Sequence, residues 1–171
     1  MNIRWSARMS IICFCLAFSA SSFYALVPCA FSSWMVCHRR YLGVSFAVIH
    51  LIHFVFLVVL HEHFHPIFVP ESIFELALGG LAYVFIILML ITSFEIFSTR
   101  MSKRYWNLLH TLGGYWILIV FSNSIFSRIA GGKLEYMPLG VLLFAVWGAR
   151  LLRWKMNRGV SGDKITSEGA A

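Results

Sequence analysis

Charge is what this chain has least of. Lys, Arg, Asp and Glu make up 12% of its 171 residues, and only 7 of those side chains are acidic. A soluble domain of this length is about a quarter charged and about half apolar. Here 60% of residues are hydrophobic and the mean hydropathy is +0.79. That balance excludes an ordinary soluble globular domain. It implies one integral membrane domain whose first partner is the lipid bilayer. Cysteine is also sparse, at 4 residues, and none forms a CxxC or CxxCH motif. A thioredoxin-like site and covalently attached c-type haem are both excluded on that ground. No Gly-rich dinucleotide fingerprint occurs, and no flavin or nicotinamide domain follows Leu152. The net charge of +7 raises nucleic acid as a partner. The basic residues, however, fall between apolar runs, as loop charges of membrane proteins do. No nucleic-acid partner is expected.

What is present is a series of apolar runs. An all-α, polytopic transmembrane bundle of about five spans is expected, near 9–27, 41–60, 76–94, 105–126 and 137–152, with a flexible tail over 153–171. The first run has two readings. Arg4 and Arg8, the run IICFCLAF and the small residues near Ala20 and Ala25 suit a secretory signal. The same residues suit a retained first helix ended by Pro28. Pro66 and Pro70 mark a loop after the second span. Gly79 and Gly80 suit close helix contact in the third. Glu95 is placed to pair with Arg100 along the helix. The fifth span is short and needs Arg150 to snorkel toward the head groups.

Five spans put the chain ends on opposite sides. One side collects Arg39, Arg40, Arg100, Lys103, Arg104, Arg150, Arg153, Lys155, Arg158 and Lys164. The positive-inside rule makes that side cytoplasmic, with the C-terminus in it. A cleaved signal would put Arg39 and Arg40 outside, which favours the retained helix. Cys29 and Cys37 then lie in the cytoplasm as free thiols.

Imidazoles inside hydrocarbon are costly unless something uses them. His50 and His53 lie three apart on the second span, on one helical face. His110 opens the fourth span, which runs parallel to the second. His50 lies about 15 Å past Arg40, His53 about 20 Å, and His110 about 9 Å past Arg104, at about 1.5 Å per residue. Histidines at similar depth on two helices can ligate one haem iron from opposite faces. The alternative is a histidine that only hydrogen-bonds a neighbouring helix. By depth His50 is the better partner of His110. A second cluster, His61, His63 and His65 with Glu62, faces outward. It reads as a solvated loop, or as a transient iron or copper site. The three histidines share a side only if that segment is extended.

Arg39-Arg40-x-Leu42-Gly43 followed by His50 and His53 resembles a helix of the ferric-reductase-like transmembrane domain. Trp106-x-x-Leu109-His110 after Lys103-Arg104, with Thr92-Ser93 upstream, resembles the later haem helix of that superfamily. The pattern is similar to the haem-binding membrane subunit of bacterial methionine sulfoxide reductase systems. The likeness covers Arg39 to Arg128. It implies a bundle in a bacterial inner membrane that holds haem b between two helices and passes electrons across the membrane. It matches His53 and His110 to the ligands, so His50 and His53 both stand as candidates beside His110. The second histidine of many members corresponds to Asn123 here, which implies one haem. Without its own flavin domain, the chain would be an oxidoreductase component fed by quinol or by a cytoplasmic reductase. The competing expectation is a non-enzymatic assembly or metal-handling module that has lost haem.

Overall fold

A computed structural model gives the fold. It describes residues 2–64 and 73–168, with side chains for 4–60, 63, 77–97 and 99–158. Seven helices follow one another: α1 (Asn2–Leu26), α2 (Ala30–Cys37), α3 (Arg39–Phe64), α4 (Ile73–Thr92), α5 (Glu95–Ser98), α6 (Lys103–Ala130) and α7 (Met137–Glu168). No strand occurs among the described residues. The chain is an all-α helical bundle. By length and composition α1, α3, α6 and α7 can each cross a bilayer, and α4 adds a shorter apolar stretch over Ala77–Thr92. Among the described residues these are the five expected runs.

Helix ends follow local chemistry. Pro28 has no amide proton to continue α1, which stops at Leu26. The connection to α3 is itself helical. The Cys29 backbone amide donates to Ser32 Oγ at 3.0 Å, and Ser32 donates on to the Val27 carbonyl at 2.8 Å, which caps α2. After α4 the hydroxyls of Thr92 and Ser93 turn back onto the carbonyls of Leu88 and Met89. Those bonds satisfy carbonyls at the helix end. Gly132, at φ 82°, takes the left-handed turn after α6 that a side chain would resist. A single 3-10 turn, Leu134–Tyr136, then leads into α7.

The long helices close a ring, with α1 against α3, α3 against α4, α4 against α6, α6 against α7, and α7 back against α1. The best-buried wall of that ring is α1. Its apolar stretch is 50% buried, against 11% for α3. Phe14 stacks on Phe18 at 5.3 Å and meets Phe46 of α3 at 5.1 Å and Phe121 of α6 at 5.5 Å. Each such aromatic pair adds about 0.5–1.5 kcal/mol beyond its area. In lipid that matters more than usual, because apolar burial alone does not favour a neighbouring helix over acyl chains. Val48, Ile52, Val55 and Val59 of α3 stay exposed, with Leu81, Val84, Ile87 and Ile91 of α4. Those rows form a lipid-facing surface.

Several expectations change. A Cβ added at Gly79 or Gly80 would meet nothing within 4 Å among the described residues. The close contact is at Gly113 and Gly114, where a Cβ would strike Met89 and the ring of Phe18. Glu95 bonds Arg40 across the bundle at 3.0 Å, because both lie at the same end. Arg150 does not snorkel. It turns inward, donating to the Phe18 carbonyl at 2.9 Å with its guanidinium 3.7 Å from that ring. The helix of the fifth span runs past Leu152 to Glu168. The loop containing Pro66 and Pro70 lies outside the described residues.

Candidate functional site

Three intramembrane histidines were expected to converge. His50 and His53 share one set of partners and His110 has another. His50 and His53 face α1, in a ladder with two serines spaced one helical turn apart. His50 Nδ1 lies 3.0 Å from Ser10 Oγ, and His53 Nδ1 lies 3.1 Å from Ser6 Oγ. The helices are antiparallel, so the later histidine meets the earlier serine. Ser10 gives its one proton to the Ala7 carbonyl at 2.8 Å. With that proton so placed, its oxygen accepts from His50 Nδ1–H and His50 Nε2 keeps the bare lone pair. A metal-ligating histidine commonly shows that same arrangement, with one nitrogen held and the other open. Around the His50 ring stand Tyr83 at 5.1 Å, Phe121 at 5.3 Å, His53 at 5.7 Å and Phe46 at 5.8 Å.

His110 belongs to the basic end. It stacks on Trp106 one turn earlier, with ring centroids 4.0 Å apart. Its Nε2 lies 3.2 Å from Thr92 Oγ1, and Trp106 Nε1 donates to the Thr92 carbonyl at 3.1 Å. With the Thr92 hydroxyl proton on the Leu88 carbonyl, His110 is the donor through Nε2. Trp106 and His110 thus fasten α6 to the end of α4 through one buried threonine.

A cavity of about 410 Å³ opens beside His110. Phe14, Phe18, Phe46, Met89 and Trp106 wall it, Gly43 leaves room on α3, and Arg39 and Arg40 stand where α3 begins. Its size falls within the usual range for a bound small molecule, about 300–1,000 Å³. Among the described residues His110 is the only histidine on it. His50 and His53 do not line it. Phe46 both lines the cavity and touches His50, so it stands between the two groups. The depths inferred from chain length alone placed His50 level with His110. In the fold the cavity level of α3 is Gly43 to Ala47, about a turn earlier.

The cluster of His61, His63 and His65 is only partly described. α3 continues through His61 to Phe64 as helix. Residues two apart in a helix do not share a face, so the extended geometry needed by His61 and His63 is not present there. His63 is exposed and its Nδ1 donates to the Val59 carbonyl at 3.1 Å. His65 lies outside the described residues. Among the described residues no group of three or more His, Cys, Asp or Glu could hold a metal ion. All four cysteines are free thiols. Asn123 is exposed on α6.

No family model, no curated protein and no solved structure matches this chain. The ferric-reductase-like resemblance rests on the motifs quoted above.

Sequence reasoning missed Ser6 and Ser10, and took Arg150 for a snorkelling side chain rather than an inward one. A signal for the serines existed: two hydroxyls four apart on the first span, facing two histidines three apart on the second.

Proposed function

We propose that this chain is a haem b-binding electron-transfer protein of the ferric-reductase-like type, set in a bacterial inner membrane with its C-terminus in the cytoplasm. One observation carries the reading. His110 sits on an apolar cavity that Arg39 and Arg40 also line. Aromatic and aliphatic walls suit a porphyrin face, an imidazole suits its iron, and arginines suit its carboxylates. Haem would supply a one-electron redox centre there.

The residues fit that group in part. His110 is the cavity's own ligand, once its Nε2 leaves Thr92. His50 or His53 would supply the other imidazole, His50 being the one in contact with Phe46 of the cavity wall. Electrons would come from quinol or a cytoplasmic reductase, since the sequence shows no dinucleotide fingerprint of its own.

Absorption spectra of the purified protein, expressed with ample haem, test this. A Soret band lost in His110→Ala and kept in His63→Ala is expected. A low-spin spectrum that turns high-spin in His50→Ala assigns His50 the second position, and the same change in His53→Ala assigns His53. A colourless wild-type protein refutes the proposal.

A second reading has its own observation. The bonds from Ser10 to His50, Ser6 to His53 and Thr92 to His110 each join two helices. On that reading the histidines are staples in a non-enzymatic membrane module. A colourless, stable protein favours it.

A further inference from the structure

Arginine inside a membrane helix is expensive, and natural chains place it against a counter-charge. Arg150 breaks that habit. It sits midway along α7, half-buried, with its guanidinium over Phe18 and 5.3 Å from the centroid of Tyr115. Its Nε is buried with no hydrogen-bond partner among the described residues. The charges of Arg39 and Arg153 act on it through space. Arg39 comes from the start of α3 and reaches α1, donating to Ser21 Oγ at 3.3 Å. Arg153 lies one turn beyond Arg150. Among the described residues no carboxylate pairs with any of the three. The nearby acid, Glu95, is bonded to Arg40.

Three like charges gathered at one end of a bundle repel one another. The surrounding apolar side chains screen them poorly. An anion beside the three would offset that repulsion. The neighbouring surface says what kind. Leu151, Leu152 and Trp154 of α7 are exposed beside the cluster, as apolar side chains facing lipid. A headgroup at the arginines would lay its acyl chains along that face.

We propose that Arg39, Arg150 and Arg153 form a binding site for the phosphate headgroup of an anionic phospholipid from the leaflet at the basic end. Arg39 is exposed and Arg153 half-buried, so both are open to a headgroup. Basic pockets between helices on the cytoplasmic side recognise anionic lipids in this way. The site shares Arg39 with the cavity of His110, whereas Arg150 and Arg153 do not line that cavity.

The test uses the full chain in an uncharged detergent. Its thermal unfolding is followed by tryptophan fluorescence while phosphatidylglycerol, phosphatidylcholine or inorganic phosphate is titrated in. Arg39→Gln/Arg153→Gln is the informative variant, because it spares Arg150 and its contacts with α1. Phosphatidylglycerol is expected to protect the wild type at about thirtyfold lower concentration than phosphatidylcholine, and the preference is expected to vanish in the variant. Equal protection by the two lipids overturns the proposal, as does a preference that survives in the variant. Inorganic phosphate protecting as well as phosphatidylglycerol overturns the lipid assignment. A colourless protein with the preference intact supports this site while refuting the haem reading.

Discussion

Replacing Ser10 with alanine tests the ladder between α1 and α3 directly. Ser10 is fully buried, its hydroxyl proton is committed to Ala7, and its oxygen receives His50 Nδ1–H at 3.0 Å. Alanine removes that acceptor and leaves the imidazole donor among Phe46, Tyr83 and Phe121. A buried donor left unsatisfied costs about 1–3 kcal/mol in a soluble core. Hydrogen bonds between membrane helices average about 0.6 kcal/mol and reach about 1.7, because the unfolded helices also find partners in the membrane. The short distance and full burial place this bond in the upper part of that range, about 1–1.5 kcal/mol. Ser10→Ala, His50→Phe and the double variant form a cycle, read by reversible unfolding in mixed SDS micelles. The coupling energy between the two sites is expected to be about 1 kcal/mol. A coupling below about 0.3 kcal/mol, the usual scatter for independent sites, refutes the bond.

Two further outcomes follow from the packing of the helices. Gly114→Ala pushes a methyl into the ring of Phe18, which already carries Arg150, and is expected to destabilise the bundle by about 1–3 kcal/mol. Gly79→Ala has open space around it and is expected to be neutral or slightly stabilising in the same SDS assay, so equal losses at the two positions refute the packing. The Ser32 amide and hydroxyl hold the Cys29 thiol below its usual pKa, and Cys29 and Cys37 are both exposed. An impermeant maleimide is expected to label both from the cytoplasmic face only, with Cys29 the faster at neutral pH. Labelling in intact cells reverses the proposed topology.

The sequence made the apolar helices legible, because an apolar run of about 20 residues can do little else, but not the end of α7, which runs on to Glu168. Faces were harder. Residues 44–60 are apolar nearly all round, so periodicity does not say which side meets α1 and which meets lipid. The two Gly-Gly pairs show the same limit. Gly79–Gly80 and Gly113–Gly114 are identical as text, and only the closing of the ring decides that the second pair meets Phe18 and Met89. Arg150 was misread for a related reason. Snorkelling assumes a helix edge facing lipid, whereas α7 turns that position toward α1, where a backbone carbonyl and two aromatic rings receive it. Depth along a helix was also an incomplete guide to the histidines. Rise per residue fixes height, but the rotation of α3 sends His50 and His53 to the serines of α1 and leaves Gly43, Phe46 and Ala47 for the cavity.

That rotation gives α1 a controlling position. Its residues 6 and 10 hold the histidines of α3, Phe14 fills the centre, and Phe18 separates the cavity from Arg150. A signal peptide cut near Ala20 or Ala25 would remove every one of these contacts, and with them the partner of α7 on one side of the ring. The helix would also take away Ile11, Cys15 and Ser19, all buried. Exposing Ser10, His50 and the Arg150 guanidinium to acyl chains without their partners carries the full cost of unpaired polar groups in hydrocarbon. The physical argument for a retained first helix is therefore stronger in the fold than in the charge count. Mass spectrometry of the purified protein checks it, with a mature chain that still contains Ser6 and Ser10 as the expected result and a chain starting after Ala20 or Ala25 as the refutation.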